Sequence, residues 1–108
     1  MASMSERLAQ LMKLYEMDPD DAFVTYGIAM AHANEGEHEA ALDWLGKTIA
    51  ADADYLYAYF QQAKALAELG NMAGAKAALA EGMKRAVAKG DQHAASEMND
   101  LLESFDAD

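Results

Sequence analysis

The chain has 108 residues, 53% of them hydrophobic, which is the length of one ordinary domain with enough apolar side chains to bury a core. Eight Lys and Arg against 19 Asp and Glu give a formal net charge of -11, so nucleic acid and anionic membrane surfaces would repel it, and neither is expected as a partner. The chain has no cysteine, which excludes disulfides, thiolate metal sites and thiol nucleophiles.

The acidic excess has two readings: a generally solvating surface, of the kind that also suits high salt, or an acidic face matched to a basic partner. The first stretch, MASMSERLAQLMKLYEM, alternates charged and apolar residues. It lacks the continuous apolar run of a signal peptide, and no later window approaches a membrane span, so a cytoplasmic location is the simplest expectation. Ser3 and Glu6 form a capping signal, and Leu8, Leu11, Met12 and Tyr15 follow at i, i+3, i+4 and i+7, which predicts a helix over 3–17.

The next four residues, DPDD at 18–21, raise the question of a metal site. A calcium loop counted from Asp18 would need Gly at its sixth position and Glu at its twelfth, where Phe23 and Ala29 stand. The motif reads instead as a turn: Pro19 blocks continuation of the preceding helix, and Asp20 or Asp21 caps the next. DADY at 52–55 looks like the same device without the proline.

That recurrence extends along the chain. A shift of 34 residues lays Asp18 on Asp52, Ala29 on Ala63, Gly36 on Gly70, Ala41 on Ala75 and Leu45 on Leu79, with Phe23 on Tyr57 and Tyr26 on Phe60. A fixed period of this size marks stacked helical hairpins, none of which buries its apolar face alone. First helices are expected over 22–35 and 56–69, and second helices over 37–51 and 72–89. Gly36 and Gly70 supply the left-handed residue that stops a helix and reverses the chain. Ala29, Ala63, Ala41 and Ala75 fall where paired helices approach closely, and Leu45, Thr48, Ile49, Leu79, Gly82 and Met83 continue the buried face. At the end, Gly90-Asp91 is a stop followed by an N-cap. Ala94, Ala95, Met98, Leu101, Leu102 and Phe105 form the apolar stripe of a capping helix over 91–105, in which Glu97 departs from the small-residue position, and the final DAD is expected to fray.

These residues resemble the tetratricopeptide repeat, whose 34-residue motif carries an early aromatic, a small residue at its eighth position, a turn glycine, small residues on the second helix and a D-P-type turn between units. AFVTYGIAMAHANEGEHEAALDWLGKTIAADADY matches all but the aromatic, which Thr25 replaces. LYAYFQQAKALAELGNMAGAKAALAEGM matches with Tyr59, Ala63 and Gly70. The resemblance covers residues 18 to about 86. It implies an all-α fold, a short right-handed α-solenoid of antiparallel hairpins with about six helices and terminal capping helices. The domain layout is then a single domain over 1–108, with an N-terminal helix 3–17, repeats at 18–51 and 52–89, and the C-terminal capping helix 91–105.

The resemblance also implies a non-catalytic protein-interaction scaffold whose partner peptide lies in a concave groove. Carried over by position, that groove is Phe23, Tyr26, Met30, Tyr57, Phe60, Gln61 and Lys64. The subclass that grips an acidic C-terminal peptide uses Lys and Asn at groove positions, where Tyr26, Met30 and Gln61 stand here, so that ligand is disfavoured. Each aromatic is open to a second reading, as packing between helices. The occupant is a peptide or helix of a partner protein, or alternatively a second copy of the chain or its own C-terminal helix, which would make the module a homo-oligomer. Trp44 reads as edge packing against the N-terminal helix or as a dimer contact.

No catalytic set is legible: there is no phosphate-cradling glycine motif and no nucleophile with its base. His32, Glu35 and His38 are the nearest approach to a metal constellation, yet His32 falls where the repeat packs and the other two flank a turn glycine. No metal or other cofactor is expected. Lys64 is expected to pair with Glu68 one turn on, or with a ligand carboxylate, and His93 to face solvent.

Overall fold

The computed structural model describes residues 4–107, and their side chains from residue 6 onward. Ser3, the expected first N-cap, and Asp108 lie outside the described residues. Six α-helices follow one another, α1 (Met4–Met17), α2 (Ala22–Asn34), α3 (His38–Ala51), α4 (Leu56–Glu68), α5 (Met72–Lys89) and α6 (Gln92–Asp106), with no strand among the described residues. They fall into two compact units, Met1–Ala53 and Asp54–Asp108, each a helical hairpin with one further helix packed on it.

Every glycine stop expected from the sequence is present. Gly36, Gly70 and Gly90 have φ of 76°, 83° and 74°. At each, the glycine N–H returns to a carbonyl three residues back and the next N–H to one five residues back: Glu37 to His32 at 2.9 Å, Asn71 to Leu66 at 2.8 Å and Asp91 to Ala86 at 2.9 Å. This double bond pattern satisfies carbonyls that a helix end would otherwise leave bare, and it needs the left-handed glycine.

In the first unit α2 and α3 form the hairpin and α1 packs on α2. Asp21 caps α2, its carboxylate accepting from the N–H groups of Phe23 at 3.0 Å and Val24 at 3.4 Å, while Asp18 accepts from Asp20 within the turn. The DPDD motif is therefore a helix start. Its counterpart DADY differs: Tyr55 occupies the N-cap of α4 and its side chain makes no cap hydrogen bond. Asp54 instead binds Arg85 at 3.2 Å and Lys89 at 3.8 Å. Asp21 has become Tyr55 under the shift, so the capping oxygen is lost and the aspartate one residue earlier is drawn to the cations of α5.

Ala29, Ala41, Ile28 and Leu45 are fully or almost fully buried in the first hairpin, as are Ala63, Ala75 and Leu79 in the second. Tyr15 of α1 meets Trp44 of α3 edge to face at 4.8 Å, which places Trp44 in packing with the N-terminal helix. In the second unit α4 and α5 form the hairpin and α6 lies against both. Ala94 and Met98 of α6 join Leu56, Ala63, Ala75, Leu79 and Ala86 in one buried cluster, with Leu101, Leu102 and Phe105 packed at its margin.

Thr25, the departure from the aromatic of the repeat, is buried with its Oγ1 2.9 Å from that of Thr48. The equivalent pair in the second unit is Tyr59 and Gly82. A Cβ on Gly82 would stand 2.7 Å from the Tyr59 Cβ and 2.9 Å from the Met98 sulfur. Volume is conserved across the pair: a small residue faces a small one in the first hairpin, and the large Tyr59 faces a glycine in the second.

Candidate protein-interaction surfaces

In the first unit the surface begins with the register of α2. Its buried face takes Val24, Thr25, Ile28, Ala29 and Ala31, which turns Phe23, Tyr26 and Met30 toward the opposite side. Those three, with Gly27, Ala31 and Asn34 and with Arg7 and Leu11 of α1, line a cavity of about 350 Å³. Gly27 lets α1 approach α2 closely here: a Cβ there would meet the Leu11 Cδ2 at 3.3 Å. Phe23 is 75% exposed, an unusual state for a phenylalanine in a protein of this size, and stands at the rim. Arg7 is the cavity's one charged lining residue and makes no ion pair among the described residues.

In the second unit the corresponding residues are more engaged. The Tyr57 hydroxyl donates to Glu97 of α6 at 2.9 Å, and the Tyr57 and Phe60 rings meet edge to face at 6.3 Å. Both rings pack at the margin of the buried cluster. Gln61 is half-buried and Lys64 exposed. The Lys64 ammonium lies 5.8 Å from the Phe60 ring centroid, and no Lys64–Glu68 ion pair forms among the described residues, contrary to the sequence expectation. The aromatic at i−4 offers the ammonium a contact that lets the lysine stem cover the ring.

The three sequence-assigned residues of α2 thus share one cavity, and the four of α4 share one helix face partly covered by α6. Arg7, Leu11 and Asn34 were not among the groove residues expected from the sequence. Leu11 appeared there only as part of an apolar stripe, and nothing in the pattern around Arg7 signalled a neighbouring cavity.

A second, charged recess in the same unit as α4 is lined by Asp54, Glu81, Lys84, Arg85, Ala88 and Lys89. Arg85 is held by Glu81 at 2.8 Å and Asp54 at 3.2 Å and lies 5.8 Å from the Tyr59 ring, so the last turns of α5 pin the segment that leads into α4. His32 lies 2.9 Å from Glu37, and no group of three or more His, Asp or Glu among the described residues is arranged to hold a metal ion. His93 is 80% exposed, beside Glu97. No helix among the described residues is long and apolar enough to cross a membrane.

No family model matches the chain. The TPR repeat-containing protein PA0015 of Pseudomonas aeruginosa is 28% identical to it over 96 residues, which span 89% of this chain and 91% of that protein. Among solved structures, PcrH, crystallised in complex with the chaperone binding region of PopD, superposes with a TM-score of 0.87 at 20% identity, over 94% of this chain and 77% of that one. The solution structure of BPP2914 from Bordetella parapertussis superposes with a TM-score of 0.83 at 24% identity, over 97% and 89%. The chain has an all-α helical repeat fold of the tetratricopeptide-repeat type, the family that its 34-residue period resembles.

Proposed function

We propose that the chain is a non-catalytic protein-interaction module that takes a segment of a partner protein on its aromatic faces. The observation that carries this reading is the α1–α2 cavity, where Tyr26, Met30 and Leu11 form apolar walls and Phe23 stands exposed at the rim. Contiguous open apolar surface of this kind marks a binding site, because leaving it in water costs stability that a partner restores. The α4 face, with Tyr57, Phe60, Gln61 and Lys64, is the second surface in this reading, narrowed by the contact of Tyr57 with α6. The PcrH structure supports it by example, since a protein of this fold holds a region of PopD.

The test is selection of a peptide library displayed on phage against the purified chain, with counter-selection on the Phe23→Ala, Tyr26→Ala double variant. The reading expects clones that bind the wild type and are lost on the variant. Clones that bind both equally well, or a failure to enrich any, would overturn it.

A further inference from the structure

The repeat register bears on what the cavity of the first unit can hold. A shift of 34 lays Arg7, Leu11 and Leu14 of α1 on Ala41, Leu45 and Thr48 of α3, and a second shift lays them on Ala75, Leu79 and Gly82 of α5. All six counterparts are buried. In both hairpins they face a first helix, as the Thr25–Thr48 contact and the approach of Gly82 to Tyr59 show. On α1 the same positions are open: Arg7 is exposed, Leu11 half-buried and Leu14 49% exposed.

The second wall of the cavity repeats as well. The N-caps Asp21 and Asp91 lie two residues further apart than two 34-residue periods, so counted from its own N-cap Glu97 of α6 corresponds to Gly27 of α2 rather than to Ala29. In the second unit α4 lies against both α5 and α6, with Glu97 accepting from Tyr57. By this register α1 and α2 correspond to α5 and α6, each pair packed together, and the cavity that α1 and α2 line corresponds to the place of α4. Resting on the interaction reading above, we propose that unit one binds a single amphipathic helix of a partner protein in this seat, antiparallel to α1, with an acidic residue near its C-terminal end.

Direction and charge follow from the occupied seat. The Gly70 turn makes α4 antiparallel to α5 and sets the C-terminal end of α4 beside the start of α5, where Ala75 lies. A helix in the first seat therefore brings its C-terminal turn to Arg7. The guanidinium complements both an acidic side chain and the negative end of the helix dipole there.

The probe is a fluorescein-labelled peptide with the α4 sequence, residues 56–69, which already fits a seat of this form and carries Glu68 in its last turn. It is titrated into the full chain by fluorescence polarisation. The proposal expects saturable 1:1 binding, weakened about tenfold or more by Leu14→Glu and by Arg7→Glu. For Arg7→Glu, a peptide carrying Glu68→Arg should restore it. Both variants are first shown to keep the helical circular dichroism of the parent, and since Arg7 and Leu14 are solvent-facing they are expected to.

Absence of saturable binding up to about 1 mM, or binding indifferent to both variants, overturns the seat. If library-selected peptides still depend on Phe23 and Tyr26 while neither α1 variant matters, the interaction reading survives and the helical seat does not. A dimer of the free chain that Leu14→Glu dissolves assigns the seat to a second copy, and an occupying segment found upstream in a longer chain assigns it there; either overturns the partner helix.

Discussion

The hydroxyl oxygens of Thr25 and Thr48 lie 2.9 Å apart, fully buried, between α2 and α3. Each also reaches a carbonyl of its own helix, Thr25 that of Ala22 at 3.1 Å and Thr48 that of Trp44 at 2.9 Å. Three short contacts share two protons, so one threonine donates to the other, and the acceptor threonine donates to its own helix. Both groups are satisfied without water, which is what burial of a hydroxyl requires.

A double-mutant cycle at this pair has a defined outcome. Thr25→Val or Thr48→Val alone removes the contact between the helices while the remaining hydroxyl keeps its own-helix carbonyl, and should cost about 0.5–1.5 kcal/mol. The double variant removes both hydroxyls and keeps the shape, so its loss should fall well below the sum of the two. Urea unfolding followed by circular dichroism measures all three, and strict additivity would show that the contact contributes nothing.

Glycines at two helix positions should respond to alanine with opposite signs. At Gly82 the new Cβ meets the Tyr59 Cβ at 2.7 Å, and overpacking of this kind costs about 1–3 kcal/mol. At Gly46 it meets nothing within 4 Å, and the equivalent residue of the second repeat is already Ala80. Gly46→Ala should stabilise by about 0.5–1 kcal/mol through helix propensity. Thermal unfolding of the two variants checks the pair; a stabilised Gly82→Ala would mean that Tyr59 and α5 are not packed as described.

Residues at one repeat position should behave differently in the two units. Phe23→Ala removes an exposed ring and should change the unfolding free energy by no more than a surface substitution does, about 0.5 kcal/mol, while weakening binding of a selected peptide. Phe60→Ala removes a ring packed at the margin of the buried cluster, and destabilisation should dominate its effect. Melting curves beside peptide titrations separate the two, and an unfolded Phe23→Ala would place that ring in the core.

This difference shows what the sequence carried and what it did not. The stops at Gly36, Gly70 and Gly90 and the close approaches at Ala29, Ala41, Ala63 and Ala75 were legible, because only glycine takes a left-handed turn cheaply and only small residues let helices meet. The difference in surroundings between Phe23 and Tyr57 was not. Phe23 and Tyr57 are one residue in the repeat, but Tyr57 has Glu97 of α6 beside it and Phe23 has an open cavity. A 34-residue period encodes the position of a side chain on its own helix, and its neighbour across the helices is set by Arg7, Gly27 and Glu97, where the repeat is broken. Lys64 was misjudged for a related reason: spacing alone offers Glu68 and Phe60 equally, and the ring lies on the covered side.

Self-association is tested by light scattering over a hundredfold range of concentration. A constant monomer mass is expected, because α6 carries polar His93, Glu97 and Asp100 at i, i+4 and i+7, with His93 and Asp100 exposed. A mass that doubles with concentration, and reverts in Leu14→Glu, would favour the oligomer.

The most direct measurement maps the amide chemical shifts of the isotope-labelled chain as a library-selected peptide is added. Binding through the α1–α2 cavity predicts the largest saturable changes at Arg7, Leu11, Phe23, Tyr26, Gly27 and Met30. Changes confined to residues away from both that cavity and the α4 face, or none at saturating peptide, would contradict the account.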